Sequence, residues 1–454
     1  MDVFGSSGTR GVANEEVTPE FACRVARAAA ATLDADRVAV ARDTRTTGRM
    51  LADAVAAGAA SAGADVDRLG VLPTPALQGY AGREGVVGVV VTASHNPPEY
   101  NGLKLVSPDG GELTVAAYER VEAALDGAER ARWDAVGDAR RVEGEDEAYV
   151  ADVAAAVDRA TIADADLRVA VDPGHGAGAL TSPDLFRRLG CSVVTVNAQR
   201  DGRFPGRDPE PVTENLADLR RLVRAADADV GVAHDGDADR AVFVDETGEE
   251  IPPESSFAAL AGAALDEGDV AVSAVNVSQR VVDAVVDAGA RLELTPIGNA
   301  HVFSRVRDLR AAGERVPVAG EGNGGVAFPE VGLVRDGALA AVRFLELVAR
   351  RPASEVAAAH AGYHTVRENV PYDDAAQRDA MVAAVERVAD DAPPDAEVTT
   401  RDGYRIDYGD GWVLARPSGT EPVVRVYAEA RDRERAADLL ASMADPLHAA
   451  RDDA

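Results

Sequence analysis

The sequence predicts an α/β protein of several units, followed by a smaller α+β unit. Three observations support this fold class. Short β-branched runs that end in polar loops alternate with alanine-rich stretches of helical periodicity, which is the pattern of α/β domains. This pattern restarts near residues 145 and 246. After residue 359 it gives way to hairpin-like strands and a final helix.

The 454 residues are enough for several domains with substantial cores. We therefore predict α/β domains over residues 1–144, 145–245 and 246–358, and an α+β domain over residues 359–454. The helical periodicity is clearest in Phe21–Leu33 and Met50–Gly63. The runs that predict buried strands are Arg37–Asp43, Gly85–Ser94, Leu167–Gly176, Ala228–Asp237 and Gly268–Asn276.

The composition is strongly acidic, with 78 acidic and 47 basic residues and a formal net charge of −31. Such a chain repels nucleic acid and anionic membranes, so neither is an expected partner. The acidic residues are dispersed and Lys104 is the only lysine, a combination that indicates adaptation to molar salt, where self-repulsion is screened. A merely acidic protein would explain the charge but not the lysine deficit.

The cysteines and the hydropathy pattern predict the cellular compartment. Cys23 and Cys191 lie far apart in apolar surroundings, which argues against a disulfide framework and fits a reducing cytosol. No secretory signal pattern is present, and no apolar run approaches membrane-spanning length. We therefore expect a cytoplasmic protein.

The predicted strand Gly85–Ser94 leads into a loop with the sequence TASHNPPEYNGLK. Two successive prolines fix the backbone and exclude helix, so this loop is stiff. A stiff loop at the carboxyl end of a buried strand is where an α/β sheet presents its ligand site. A lone serine would most simply cap a turn, but the loop also carries His95 and Lys104, which favours a functional role for Ser94.

The second candidate is the sequence HDGDADR, residues 234–240, in which Asp235, Asp237 and Asp239 alternate. Three carboxylates on an irregular loop suit a hard cation such as Mg²⁺. An EF-hand is excluded because Arg240 stands where that loop requires glycine. Taken alone, the motif is also compatible with a solvated acidic turn.

Three further loops are suited to binding anions or hydroxyl groups, although each glycine cluster alone is more often a plain turn. These loops are Phe4–Gly11, Gly320–Gly325 and Arg416–Arg425. The last brings two arginines together with hydroxyls and glycine amides, the groups from which phosphate sites are built. Their candidate binding side chains are Arg10, Glu321, Asn323, Arg416, Ser418, Thr420 and Arg425.

Five motifs, FGSSGTRG, TASHNPPEYNGLK, DGDADR, GEGNGG and RPSGTEP, stand in the order in which they occur in the α-D-phosphohexomutases. The chain resembles that family over almost its whole length. The resemblance implies three phosphoglucomutase-type α/β domains and a C-terminal α+β domain around a central cleft. It also implies that each of the five motifs supplies part of the cleft wall.

The resemblance implies a reaction and its groups. A phosphoserine, Ser94, donates its phosphoryl group to one end of a hexose phosphate and recovers one from the other end, through a hexose bisphosphate intermediate. Mg²⁺ would be held by an oxygen of that phosphoserine and by Asp235, Asp237 and Asp239. Catalytic roles are implied for Ser94, His95, Lys104, Arg10 and Arg240. Substrate binding is implied for Glu321, Asn323, Arg416, Ser418, Gly419, Thr420 and Arg425.

Two positions bear on acid–base chemistry. Lys104 offers either a compact point charge or, since burial can lower the pKa of its ammonium, a group for proton transfer. Bacterial members of the family often carry histidine where Gly325 stands here, so the sequence leaves open which residue acts as general acid or base.

The GE-x-N-GG form of the sugar loop resembles archaeal phosphoglucosamine mutases. We therefore expect interconversion of glucosamine 6-phosphate and glucosamine 1-phosphate, with phosphomannomutase or phosphoglucomutase activity as the alternative. A non-catalytic sugar-phosphate-binding paralogue fits less well, because Ser94, Lys104 and the three aspartates are intact. A Mg²⁺-dependent phosphatase would not need a second phosphate loop. No obligate protein partner is indicated.

Overall fold

The structure is a computed structural model that describes residues 3–5, 7–418 and 421–454. Each of the five apolar runs that predicted a strand contains one, and the alternation of strands with helices is confirmed. Within the described residues, no helix combines the length and the apolar character needed to cross a membrane.

The first domain is built around a mixed sheet. Its strand β4, with the sequence VGVVV, is buried at every residue, as expected for an apolar run covered on both faces. β4 pairs in parallel with β2 and antiparallel with β5, and the strand order is β1-β5-β4-β2-β3-β6. Its elements are β1 (Thr9–Val12), α1 (Pro19–Thr32), β2 (Arg37–Arg42), α2 (Gly48–Ser61), β3 (Asp65–Val71), α3 (Thr74–Glu84), β4 (Val87–Val91), β5 (Tyr100–Val106), α4 (Val115–Ala124) and β6 (Ala139–Arg141).

The second domain repeats this plan around the buried strand β9, which is parallel to β7 and antiparallel to β10 in the order β11-β10-β9-β7-β8. The strand β11 belongs to this sheet although it follows residue 245, where we placed a domain boundary. Its elements are α5 (Glu145–Ala155), α6 (Arg159–Asp164), β7 (Arg168–Asp172), α7 (Ser182–Arg188), β8 (Ser192–Thr195), α8 (Ala217–Ala225), β9 (Val230–Ala233), β10 (Val242–Asp245) and β11 (Glu250–Ile251).

The third domain has a smaller sheet in the order β13-β12-β14-β15, in which β12 is parallel to both neighbours and β14 is antiparallel to β15. Its elements are α9 (Pro253–Ala264), β12 (Val270–Ala274), α10 (Gln279–Asp287), β13 (Arg291–Thr295), α11 (Asn299–Ala311), β14 (Val318–Gly320), β15 (Val326–Ala327), α12 (Gly337–Val348) and α13 (Ala353–Ala358).

The fourth domain is an antiparallel sheet, β16-β20-β19-β18-β17, and two long helices, which confirms the predicted change to α+β structure. The helices and the sheet share a separate core that includes Val426, Met381 and Leu439. Its elements are β16 (His364–Pro371), α14 (Ala375–Asp390), β17 (Glu397–Thr399), β18 (Tyr404–Asp407), β19 (Gly411–Pro417), β20 (Val423–Ala430) and α15 (Arg433–Asp453).

Buried polar contacts hold the fourth domain against the third. The Glu429 carboxylate accepts hydrogen bonds from Ser278 Oγ at 2.8 Å and from Arg280 Nη1 at 3.1 Å. Arg405 Nη1 donates to the carbonyl of Val275 at 2.6 Å. Because Glu429, Arg280 and Arg405 are buried and charged, losing a partner would leave a charge uncompensated, which favours a fixed arrangement of the two domains.

The functional motifs occupy equivalent places in the four domains. In each sheet, one antiparallel pair of adjacent strands is joined by a loop that carries a motif. These loops are residues 92–99 between β4 and β5, 234–241 between β9 and β10, 321–325 between β14 and β15, and the segment between β19 and β20, of which residues 418, 421 and 422 are described. One type of connection therefore presents all four motifs.

Candidate active site

Ser94 lies in the first of these loops, which we call the serine loop (residues 92–99). Its φ of 52° places it in the left-handed region, which is uncommon for a residue other than glycine. Its backbone N–H donates to Thr92 Oγ1 at 2.8 Å, and its Oγ donates to Asp235 Oδ2 at 2.6 Å. The serine loop thus brings the Ser94 hydroxyl directly against the predicted metal loop.

Arg45, which the sequence reading missed, fixes the backbone of the serine loop. Its side chain is completely buried, and its guanidinium pairs with Asp43 at 3.0 Å. The same guanidinium donates to four carbonyl groups of the loop and its exit, those of Ser94, Asn96, Pro97 and Tyr100, over 2.6–3.0 Å. The sequence signal was the Asp-x-Arg spacing directly after a buried strand.

The three alternating aspartates lie together, as predicted. Asp235, Asp237 and Asp239 are all buried, and one carboxylate oxygen of each lies within 4.8 Å of the others. Burial and the neighbouring carboxylates raise the pKa of Asp235 to about 7. Asp237 Oδ1 and Asp239 Oδ1 are buried without a hydrogen-bond partner. Buried acceptors are rarely left unpaired, so this oxygen-only set fits a divalent cation such as Mg²⁺.

Lys104 lies on β5, and its ammonium is almost fully buried between two of these aspartates. Its Nζ donates to Asp237 Oδ2 at 2.7 Å and to Asp239 Oδ2 at 2.8 Å. Burial lowers the pKa of Lys104, but the two carboxylates outweigh burial, so the pKa is raised. The expectation of a lowered lysine pKa suited to proton transfer is therefore wrong, whereas a role as a compact point charge fits the geometry.

His95 and Arg240 contact each other next to the serine hydroxyl. Arg240 Nη2 donates to His95 Nδ1 at 3.0 Å, and His95 Nδ1 lies 3.4 Å from Ser94 Oγ. Burial and the positive charges of Arg240 and Arg10 lower the pKa of His95 to about 2, so its imidazole is neutral. Arg10 Nη1 reaches Asn96 Oδ1 at 3.5 Å, at the side of the serine loop.

The third loop holds its two polar side chains by backbone hydrogen bonds. The Glu321 carboxylate accepts from the Gly298 N–H at 2.7 Å, and Asn323 Oδ1 accepts from the Gly325 N–H at 3.1 Å. Gly322 and Gly324, with φ values of 73° and 85°, take the left-handed turns between them. The loop is therefore tightly folded, with both polar side chains at the same cleft.

The fourth loop places two like charges opposite each other. Arg416 and Arg425 are direct cross-strand partners on β19 and β20. Like charges at opposed positions are unfavourable unless an anion or carboxylates compensate them. Arg416 Nε pairs with Asp402 at 3.1 Å, and Arg425 Nη2 pairs with the exposed Glu421 at 2.5 Å. The Ser418 N–H donates to the carbonyl of Val423 at 2.8 Å, while the predicted residues Gly419 and Thr420 lie outside the described residues.

A cleft of about 790 Å³ lies where the four domains meet. Each domain supplies charged or polar side chains to its wall, namely His95, Arg240, Glu321, Asn323, Arg416 and Arg425. Ser94 and the three aspartates are buried, and Ser94 Oγ and Asp235 contact His95 and Arg240 of that wall. Arg10 of the first motif contacts Asn96 of the serine loop, and the expectation that residues 4–11 supply part of the cleft wall stays a prediction.

Four domains around a cleft, with a serine hydroxyl against three buried aspartates, define a phosphosugar mutase, an enzyme of the isomerase class. Domain models described as phosphoglucomutase/phosphomannomutase match residues 1–132 (alpha/beta/alpha domain I), 147–248 (domain II), 252–363 (domain III) and 368–445 (C-terminal domain). The chain belongs to this family, the α-D-phosphohexomutases, as its motifs predicted.

Individual relatives agree with this assignment. A phosphoglucomutase/phosphomannomutase of Thermococcus kodakarensis is 40% identical, with 96% of each chain covered. A probable phosphoglucosamine mutase of Methanopyrus kandleri is also 40% identical, over 96% of this chain and 95% of that protein. The crystal structure of a phosphoglucomutase/phosphomannomutase family protein from Burkholderia thailandensis matches with a TM-score of 0.85 and 28% identity, covering 99% of this chain and 97% of that one.

Proposed function

We propose that this phosphohexomutase interconverts glucosamine 6-phosphate and glucosamine 1-phosphate, with Ser94 as the phosphoryl carrier. The observation that carries the proposal is the position of Ser94 Oγ, 2.6 Å from Asp235 and beside the cleft that all four domains line. Probable phosphoglucosamine mutases of Methanopyrus kandleri and of two Methanosarcina species share 37–40% of their residues with this chain, which supports glucosamine as the sugar.

The residues suggest how the two half-reactions proceed. Phosphorylated Ser94 gives its phosphoryl group to the free hydroxyl at one end of the bound sugar phosphate. The resulting bisphosphorylated sugar turns within the cleft and returns the phosphoryl group of its other end to Ser94. The cross-strand pair Arg416 and Arg425 can hold whichever phosphate is not reacting, because guanidinium groups recognise the phosphate itself, whichever end of the sugar carries it.

The neighbouring groups of Ser94 define its electrostatics. Asp235, Asp237 and Asp239 would hold Mg²⁺, which when bound neutralises charge on the transferring phosphoryl group. Lys104 keeps its proton next to two of these carboxylates and acts as a fixed positive charge. His95 is held beside the Ser94 hydroxyl by Arg240, and its imidazole is neutral. It therefore adds no charge of its own where the anionic phosphoryl group moves.

The decisive experiment combines covalent labelling with a substrate panel. Intact mass and peptide mapping of the purified enzyme should locate phosphate on Ser94, and Ser94→Ala should abolish turnover while keeping the unfolding midpoint. The panel compares the 6-phosphates of glucosamine, glucose and mannose by kcat/KM. Phosphate found only at other positions would overturn the carrier assignment. A higher kcat/KM for glucose or mannose 6-phosphate would support phosphoglucomutase or phosphomannomutase activity instead.

We also propose that the enzyme is adapted to molar salt. A net charge of −31 creates self-repulsion that dissolved ions screen. Dilution from molar KCl to low salt should therefore lower the thermal unfolding midpoint. A midpoint that rises on desalting would contradict the proposal.

A further inference from the structure

Arg335, outside every motif, links two of the functional loops. It lies just before α12, and its side chain is buried, with 6% of its surface exposed. Arg335 Nη2 donates to Asp239 Oδ2 at 2.5 Å, and Nη1 lies 3.8 Å from Glu321 Oε2. A single guanidinium therefore bridges a carboxylate of the metal loop in the second domain and a carboxylate of the sugar loop in the third.

The aliphatic part of the Arg335 side chain occupies the space that a side chain at position 325 would need. A Cβ atom placed on Gly325 would lie 2.6 Å from Arg335 Cδ, closer than real Cβ contacts allow, and 3.3 Å from its Nε, which is a tight contact. The glycine thus leaves room for the arginine. This gives a physical reason for the absence of histidine at this position of the sugar loop.

The contacts of Arg335 with these two carboxylates are unequal. The 2.5 Å contact to Asp239 is a close charge-assisted hydrogen bond, whereas the 3.8 Å contact to Glu321 is loose. Asp239 Oδ2 also accepts from Lys104, whereas Oδ1 is buried without a hydrogen-bond partner and is available to a cation held by the three aspartates. A divalent cation on that oxygen would compensate the negative charge of Asp239 and so weaken its attraction for Arg335. The guanidinium would then favour its other carboxylate partner, Glu321.

We propose that Arg335 is a positioning residue that couples cation binding at Asp239 to sugar binding at Glu321. Occupation of the metal site favours the Arg335–Glu321 contact, which fixes the carboxylate that holds the sugar hydroxyls. The coupling is reciprocal, so sugar phosphate must tighten metal binding by the same factor by which metal tightens sugar binding. The inference rests on the proposed function for the role of Glu321.

The test measures Mg²⁺ binding by calorimetry in the Ser94→Ala background, which removes turnover, with and without saturating glucosamine 6-phosphate. We expect the sugar phosphate to tighten Mg²⁺ binding about fivefold or more, as is typical of coupled sites. Adding Arg335→Met should bring this factor close to one, and Arg335→Lys should restore part of it. Arg343→Met is the matched control, because Arg343 lies on α12 and pairs with Glu346 near the surface at 3.2 Å.

The outcomes separate the inference from the proposed function. If the Ser94→Ala protein binds Mg²⁺ but no glucosamine, glucose or mannose phosphate, the proposed function fails. If sugar phosphate binds but the coupling factor is one in the parent, or is unchanged by Arg335→Met, only the role of Arg335 is overturned. An equal loss in Arg343→Met would show a general effect of helix α12 and would also overturn it.

A second set of variants tests the steric part. Gly325→Ala should reduce the coupling factor when Arg335 is present, because the added methyl group displaces the arginine stem. In the Arg335→Ala background the same change should have little further effect, because the space is then free. Equal effects in both backgrounds would contradict the steric explanation, and circular dichroism with urea unfolding checks that each variant is folded.

Discussion

The Arg45 contacts allow stability and catalysis to be separated by mutation. Arg45→Met removes the partner of the buried Asp43 and the donors of four serine-loop carbonyls. Breaking a buried ion pair costs about 3–5 kcal/mol, because it leaves an uncompensated charge. The double change Asp43→Asn with Arg45→Met removes that charge, so the part of the loss that comes from the charge should be recovered. The carbonyl groups remain unpaired in both variants, so we expect turnover to stay low in both.

Urea unfolding and steady-state turnover of the same preparations measure the two effects. Arg68→Met is the control, since Arg68 lies on the neighbouring strand β3 and pairs with the exposed Asp53 at 2.7 Å, and such a surface pair contributes about 1 kcal/mol or less. Amide hydrogen exchange should also increase across residues 94–100 in both Arg45 variants. Wild-type turnover in the double variant would refute the idea that Arg45 positions the serine loop.

Three further changes test the buried groups around the cleft. Lys104→Arg should lose most turnover and about 1–3 kcal/mol of stability, because a guanidinium is too wide for the space between Asp237 and Asp239; wild-type kinetics would contradict this. Asp237→Asn should weaken Mg²⁺ binding about tenfold or more by calorimetry, since it removes an anionic ligand, and unchanged affinity would exclude Asp237 from the metal site. Burial raises the pKa of Asp336 to about 6, although a hydrogen bond from Tyr149 acts in the opposite direction. The folded protein therefore favours the protonated carboxyl, and the stability that this proton contributes is present below pH 4 and lost as pH rises through 6. The free energy of unfolding of Asp336→Asn, measured in urea relative to wild type, should therefore rise by about 2–3 kcal/mol from pH 4 to pH 7. Equal pH dependence of the two free energies of unfolding would refute this.

The sequence predicted the features that depend on local pattern. The apolar run of β4 identified a buried strand, and the alternating acids of residues 234–240 identified a cluster, because both depend on neighbours in the chain. It could not predict that Lys104 reaches Asp237 and Asp239, since that contact joins positions more than 130 residues apart and depends on the packing of two domains. For this reason burial alone gave the wrong direction for the lysine pKa.

Arg45 and Arg335 were missed for a related reason. In a chain with many arginines, the Asp-x-Arg spacing after a buried strand is a weak signal for Arg45, and Arg335 has no comparable spacing signal. Their roles arise from burial and from partners in other segments, namely the carbonyl groups of the serine loop and the carboxylates of Asp239 and Glu321. Gly325 was noticed as a departure from the family, but its explanation required the position of the Arg335 stem.

Lys104 is the only lysine and its side chain is 2% exposed, so the single side-chain amine of this sequence is buried. An acylating reagent reacts with a free, uncharged amine, so it can modify Lys104 only when the contacts to Asp237 and Asp239 have opened. The rate at which an acyl group appears on Lys104 would thus report the opening of the catalytic centre, with no engineered label. Ligands that close the cleft should slow that reaction, so the acylation rate of this one side chain reports how often the site opens.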